Sequence, residues 1–464
     1  MTTRRCCRML SLVWLVACGA PRNGARTTQL HLHPCWSWAT RELARCGTML
    51  VPETRDAPGS RTIELDVLVL PARGARVEAD PLVFFNGGPG LSTTDAAAYA
   101  SWALDTLRHT RDLLLVDMRG TGHAAPLACD LYEDGGRIAP YLEPMFPVAR
   151  VRECAMRLAS RADLTQYTTE AAARDFDDVR AALHLDRVNL YGASYGSRLA
   201  LTYMRLFPSH VRRAVLLGVS PPTTPVGRVF RRATQQALDS AFIACAAASQ
   251  CGRDVRDPRR DVDTLLGRLR KRPATLRLWN WRRLSTEHIR LTAAAVAELL
   301  WVESYSPDAL SEVVPLVHRA VPTSDYTSLA RRLARTSRAR RAGRREGLLL
   351  SVVCTEDAPR LSAAMASPDG TLLGAPLVTD ILAACETWPR GVVSPDFARP
   401  FSSAIPTLLM SGGRDPVTPP DLADSAAATL TKSERYIDPT KGHATLDDQG
   451  RAVLADFIQG IKRD

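Results

Sequence analysis

The 464-residue chain has no Cys-X-X-Cys pair and no clustered cysteines and histidines. That excludes the usual metal-ligand spacings, and no metal or other cofactor is expected. No internal repeat is visible, which removes solenoids and propellers from the choice of architecture. Aromatic residues make up only 6% of the chain, and none falls among the eight arginines between Arg331 and Arg345. Without interleaved rings that basic run lacks the stacking partners of a nucleic-acid surface, so no nucleic-acid partner is expected. The apolar stretch Met9 to Ala17 is nine residues long, too short to span a bilayer. What is present is ordinary for a globular protein: 45% hydrophobic and 23% charged residues, with 31 prolines against 28 glycines. The length allows one large core plus a substantial insertion.

The most informative segment is Gly192-Ala193-Ser194-Tyr195-Gly196. It follows the apolar Val188, Leu190 and Tyr191 and runs into helix-forming sequence from Arg198 to Met204. A G-x-S-x-G between strand and helix is the pattern of a nucleophile elbow, where flanking glycines let the serine take a strained turn. Such a serine requires a base, an orienting carboxylate and an oxyanion hole. Upstream, Pro81 to Phe85 reads as a short buried strand entering Asn86-Gly87-Gly88-Pro89-Gly90, a loop able to present bare backbone N–H groups. Downstream, Thr407 to Ser411 is an apolar strand whose following turn carries Asp415. Arg435 to Asp438 reads as a further strand, and Lys441-Gly442-His443 comes after it. All three side chains would then leave the carboxyl edge of one parallel sheet. Each element has a plain alternative, an ordinary turn glycine, aspartate or surface histidine, but their joint order favours a Ser-Asp-His triad.

The fold class that follows is α/β: a mostly parallel central sheet flanked by helices, the α/β-hydrolase arrangement, with a mainly helical cap insertion. Ile63 to Leu70 alternates early and suits an antiparallel edge strand. Continuous apolar runs at 82–86, 113–117, 188–192 and 214–218 suit central parallel strands buried on both faces. From about Pro225 to Pro400 the chain is mainly helical. The expected division is a signal peptide over 1–17, a tether over 18–29, hydrolase core over 30–225 and 401–464, and a helical cap over 226–400.

Arg4, Arg5 and Arg8 precede the apolar stretch, and Leu15-Val16-Ala17-Cys18-Gly19 resembles a bacterial lipobox. The resemblance implies lipidation at Cys18 and a membrane anchor; the alternative is an ordinary secretory leader cut near Ala20. No aspartate follows Cys18, a pattern resembling Gram-negative cargo of the outer membrane, here facing the periplasm. Eight cysteines remain beyond this segment, an even number that fits an oxidising compartment. The least demanding pairing joins neighbours: Cys35–Cys46, Cys129–Cys154, Cys245–Cys251 and Cys354–Cys385. Free buried thiols are the alternative. The arginine run 331–345 accounts for much of a formal charge of +11; it is read as a solvated helical face, or else a patch lying on anionic lipid.

Together, Gly87-Gly88-Pro89-Gly90, Asp117-Met118-Arg119-Gly120-Thr121-Gly122, the serine pentapeptide, Gly413-Arg414-Asp415-Pro416 and Gly442-His443 resemble the prolyl iminopeptidase and tripeptidyl aminopeptidase family. These are capped serine exopeptidases whose exported branch carries cysteines in similar places. The likeness runs from about Cys35 to the C-terminus and is weakest in the cap. It implies Ser194 as nucleophile, Asp415 as acid and His443 as base. Gly88 and Tyr195 would supply the oxyanion N–H groups, and Asp117 to Gly122 a buttressing loop. Asn86 stands where many members have histidine, which weakens a strict prolyl iminopeptidase assignment. An aminopeptidase must also hold the substrate ammonium, and Glu303 and Glu356 are the candidates, against the plain reading of each as a surface glutamate. The expected partners are peptides with a free N-terminus. A carboxylesterase or lactonase would use the same three groups, and a lipid-anchored binding protein that kept the fold without the chemistry is the rival from another class.

Overall fold

The computed structural model describes residues 30–132, 135–247, 251, 255–361, 371–373 and 376–461. The segments read from the sequence as a signal peptide, a lipobox with Cys18 and a tether therefore lie outside the described residues.

Runs of residues buried on both faces build the centre of the sheet. Leu82–Phe85 (β4), Leu113–Val116 (β5) and Val188–Ala193 (β6) are buried throughout, as is Thr407–Gly412 (β10). Such strands pair in parallel and need helices on both sides. With His33–Ser37 (β1), Glu42–Pro52 (β2), Thr62–Leu70 (β3), Val211–Leu217 (β7) and Ser433–Asp438 (β11), they form a nine-stranded sheet in the order β1-β2-β3-β5-β4-β6-β7-β10-β11. β1 to β3 are antiparallel, and β3 meets β5 antiparallel; from β5 onward every pairing is parallel. The alternating exposure of β2 marks a half-covered edge hairpin. Sequence reading missed both β1 and β2. Their tie is Cys35–Cys46, one of four disulfides, with Cys129–Cys154, Cys245–Cys251 and Cys354–Cys385. Closing such loops stabilises a domain by about 2–4 kcal/mol each.

The segment 226–400 is not uniformly a cap. Helices Phe230–Ala247, Pro258–Lys271, Ala293–Glu303, Pro307–Thr323 and Thr327–Arg341 enclose their own apolar core, including Leu238, Leu265, Leu300 and Val313. Within this unit Ala274–Asn280 (β8) and Ser285–Leu291 (β9) form an antiparallel hairpin, which the mainly helical expectation did not name. By contrast, helix Glu346–Glu356 contributes Leu348, Leu350, Val352 and Val353 to the core beneath the main sheet, and Cys354–Cys385 ties it to helix Pro376–Cys385. Its burial on all sides, rather than along one stripe, is what draws it into the main core.

The basic run is also not a solvated face. Arg331 and Arg335 are exposed, but Arg332 pairs with Glu303 and Glu312, and Arg341 with Glu298. Arg338 lies over Tyr141, 4.7 Å from the ring centre, and Arg341 over Tyr132 at 3.7 Å. A long guanidinium side chain covers apolar surface while its head finds a ring or carboxylate, so a charge run counted along the chain overstates what reaches solvent.

Candidate active site

β6 ends at Ala193, and the next residue turns sharply. Ser194 has φ +56° and ψ −123°, a region side-chain-bearing residues rarely occupy. Its N–H donates to the Leu217 carbonyl at 2.8 Å, which pins the turn to β7. The flanking glycines are required by space. A Cβ at Gly192 would lie 2.4 Å from the Gly196 carbonyl oxygen, and one at Gly196 within 2.0 Å of the Phe85 oxygen. The Ser197 hydroxyl donates to the Ser194 carbonyl at 2.6 Å and so holds the first helical turn.

β10 delivers Asp415 and β11 leads to His443, 28 positions later. The structure brings these residues together at one edge of the sheet. His443 Nε2 lies 2.8 Å from Ser194 Oγ, and Nδ1 lies 2.8 Å from Asp415 Oδ2. Asp415 is fully buried but not isolated. Its Oδ1 accepts from the Val417 and Thr418 N–H groups, both at 2.8 Å, and its Oδ2 from the Thr418 hydroxyl at 2.7 Å. Burial opposes its charge, yet the His443 ring and these donors outweigh that and hold the carboxyl below its usual range. Thr418 was not legible in the sequence as a site residue, nor was Tyr305. The Tyr305 carbonyl accepts the His443 N–H at 2.8 Å, and its ring meets the imidazole edge-on at 4.9 Å.

Gly87, Gly88 and Tyr195 line the same cavity as Ser194. A Cβ on Gly87 would sit 3.3 Å from Ser194 Cβ, so the loop is pressed against the serine. Asn86 shapes that loop: its Oδ1 accepts the Gly87 N–H at 2.8 Å, and its Nδ2 donates to the Ser92 carbonyl at 2.7 Å. Asp117 accepts from the Thr93 and Thr94 N–H groups at 2.6 and 3.1 Å, bracing the loop from behind. Arg119, fully buried, is forked onto Asp175 at 2.6 and 2.8 Å. Tyr195 opens helix Tyr195–Leu206, where a first-turn N–H has no helical acceptor.

The two glutamates expected to meet a substrate ammonium do not line this cavity. Glu303 is buried against Arg332, at 2.7 and 2.8 Å, and Thr336. Glu356 accepts from the Thr169 N–H and hydroxyl at 2.6 and 2.8 Å, and lies 3.7 Å from Arg198. Both are structural anions already satisfied by the protein, so neither is free to bind an amine. Arg198 bonds Asp357 at 2.9 Å, and Asp357 also accepts the Val226 N–H, which secures the point where the chain leaves the sheet for the insertion.

Glu356 carries a testable cost. Burial pushes its carboxyl up from 4.5 to about 7. A raised folded-state value means this group's contribution to stability is complete below pH 4.5 and declines as pH rises toward about 7. Glu356→Gln keeps an acceptor for Thr169 and removes that decline. Urea unfolding of the variant at pH 8 is expected to gain roughly 1–3 kcal/mol on the parent, relative to the same comparison at pH 4.5. A parallel pH dependence in both proteins would contradict the assignment.

Comparison with known proteins agrees with this geometry. The family described as alpha/beta hydrolase fold matches residues 80–312, and the one described as TAP-like protein matches 371–459. The tripeptidyl aminopeptidase of Streptomyces coelicolor is 32% identical over 206 residues, 40% of this chain and 37% of that protein. The serine protease Hip1 of Mycobacterium tuberculosis is 27% identical over 456 residues, covering 89% and 84% of the two chains. Carboxylesterase B of the same species is 35% identical over 225 residues, 45% of this chain and 43% of that one. The chain thus spans little more than a third of the length of the tripeptidyl aminopeptidase it matches.

Proposed function

The chain belongs to the α/β-hydrolase family, and from that premise we propose that it is a serine exopeptidase releasing N-terminal residues or short peptides by acyl transfer. The observation that carries the hydrolase reading is the 2.8 Å approach of His443 Nε2 to Ser194 Oγ, with Asp415 on the far side of the ring. With Nδ1–H donated to Asp415, Nε2 is the acceptor for the serine proton. Ser194 attacks the scissile carbonyl, and the N–H groups of Gly88 and Tyr195 meet the oxyanion. His443 then passes its proton to the leaving amine, and water clears the acyl-enzyme.

An aminopeptidase also needs an unspent anion for the substrate ammonium. A second cavity, sharing Met145, Phe230, Trp301 and Leu377 with the catalytic one, is lined by Asp380 and by Glu298, whose carboxylate already pairs with Arg341. Burial raises both carboxyls, and Asp380 is pushed to about 6, in part by the charge of Glu298. An ammonium beside Asp380, which makes no ion pair with a described residue, would relieve that repulsion, and this supports the aminopeptidase over the esterase. The test compares peptidyl anilides with free and blocked N-termini, and short acyl esters. Free-amine peptides are expected to be the better substrates, and Asp380→Asn is expected to raise their KM about tenfold more than that of the esters. Esters turned over with no peptide cleavage would favour a carboxylesterase or lactonase.

The four disulfides fit an oxidising, extracytoplasmic compartment. No helix among the described residues is long and apolar enough to cross a membrane. We place the protein outside the cytoplasm, held by lipid on Cys18 at the periplasmic face of the outer membrane. Mass spectrometry of the N-terminal peptide, finding unmodified Cys18 or cleavage near Ala20, would remove the anchor.

A further inference from the structure

The cavity above Ser194 is one-sided in charge. Among the described residues its lining contains no aspartate or glutamate, and besides His443 its ionisable cations are Arg340 and Arg344. Other arginines of the same run have carboxylates: Arg332 has Glu303 and Glu312, and Arg341 has Glu298. Arg340 and Arg344 make no ion pair with a described residue, and each leaves its Nε buried without a hydrogen-bond partner. Arg340 donates to the Tyr305 hydroxyl at 2.9 Å and lies over the Trp301 and Tyr305 rings, 4.5 and 4.7 Å from their centres. Tyr305 in turn abuts His443. Arg344 stands on the other flank, where its Cγ would be 3.5 Å from a Cβ built on Gly90 of the glycine loop. Burial and the charge of Arg340 push the Arg344 guanidinium down to about 10, against the weaker pull of Glu346, which forms no ion pair with it.

We infer that Arg340 and Arg344 form an anion subsite in the roof of the catalytic cleft, and that the anion they take is a carboxylate of the peptide substrate. The inference rests on the peptidase reading for the identity of that substrate. His443 returns its proton to the leaving amine, so the groups beside the imidazole face the fragment that departs. Arg340, one ring removed from His443, therefore stands over the leaving peptide. An extended chain advances roughly 3.3–3.6 Å per residue, which sets the carboxylate within about two residues of the scissile bond. It is either the C-terminus of a short peptide or the side chain of an aspartate or glutamate. A guanidinium fork matches a carboxylate in two parallel hydrogen bonds, and in a half-buried site such a pair discriminates strongly against a neutral amide.

The test measures binding apart from turnover. The Ser194→Ala full chain is titrated by calorimetry with Ala-Ala-Pro-Ala as free acid, as C-terminal amide, and with Ala-Ala-Pro-Asp amide. At least one carboxylate-bearing peptide is expected to bind about tenfold or more tighter than the neutral amide. Tight binding of the free acid assigns the C-terminus, and tight binding of the aspartyl amide assigns a side chain. Adding Arg340→Gln or Arg344→Gln should cut the preference below about threefold, while Arg344→Lys keeps part of it because charge remains and the fork is lost. Equal binding of acid and amides, a preference that survives both glutamine substitutions, or no binding by any of the three overturns the subsite. Turnover of N-terminally free peptides by the parent enzyme, followed in parallel, tests the peptidase reading by itself.

Discussion

Ser194→Ala is expected to lower kcat by about 10⁶, leaving only the catalysis that binding and the oxyanion N–H groups supply. Alanine removes the one oxygen that lies 2.8 Å from His443 Nε2 and leaves the turn intact, since its backbone pins belong to the Ser194 N–H and carbonyl. The variant should therefore fold like the parent and fail to react with a fluorophosphonate. The measurement is the steady-state rate on a short acyl ester, chosen because it reports the acyl-transfer step whichever substrate is natural. A loss of only a few-fold would take Ser194 out of the nucleophile's role.

The second large effect is expected from Asp415→Asn, about 10⁴ in kcat, and the direction follows from which oxygen is already committed. Oδ1 accepts two backbone N–H groups, from Val417 and Thr418. An asparagine must therefore set its carbonyl oxygen there and turn its NH₂ toward His443 Nδ1. That donor forces Nδ1 to accept, leaving the proton on Nε2, where it can no longer take one from Ser194. The shape of the site survives and the base is lost. Asp415→Ala would instead free the ring, so an asparagine variant as active as the parent would show that the tautomer does not matter here. The pH profile of the parent gives a second check. The Asp415 carboxyl is held below its usual range, so its contribution to stability and to the imidazole is present above about pH 4 and is lost as pH falls through its lowered value.

How much of this was legible in the sequence depended on whether the cause was local. Ser194, Asp415 and His443 each follow a strand, in or beside a short glycine-bearing motif, and chain order suggested that the three converge. The buried central strands were readable for the same reason: a run such as Leu113–Val116 has only one setting in which all its side chains are covered. The edge strand β1 and its neighbour β2 lack that signal, because the exposed Trp36, Leu43 and Leu50 break the pattern. Charge partners were the weakest part. Glu303 looked available because Arg332, which neutralises it, is 29 positions away on another helix. Arg340 and Arg332 are indistinguishable in the run of arginines, and only packing separates the one facing the cleft from the one holding a glutamate.

The hydrogen bond between Tyr305 and His443 couples the insertion to the imidazole. The imidazole's backbone hangs from a carbonyl that belongs to the insertion, and Gly442 is pressed so closely beneath it that a Cβ there would lie 2.1 Å from the same oxygen. A shift of the Tyr305 backbone would therefore be passed directly to that of His443. Insertion and imidazole are joined backbone to backbone, so neither can move far without the other.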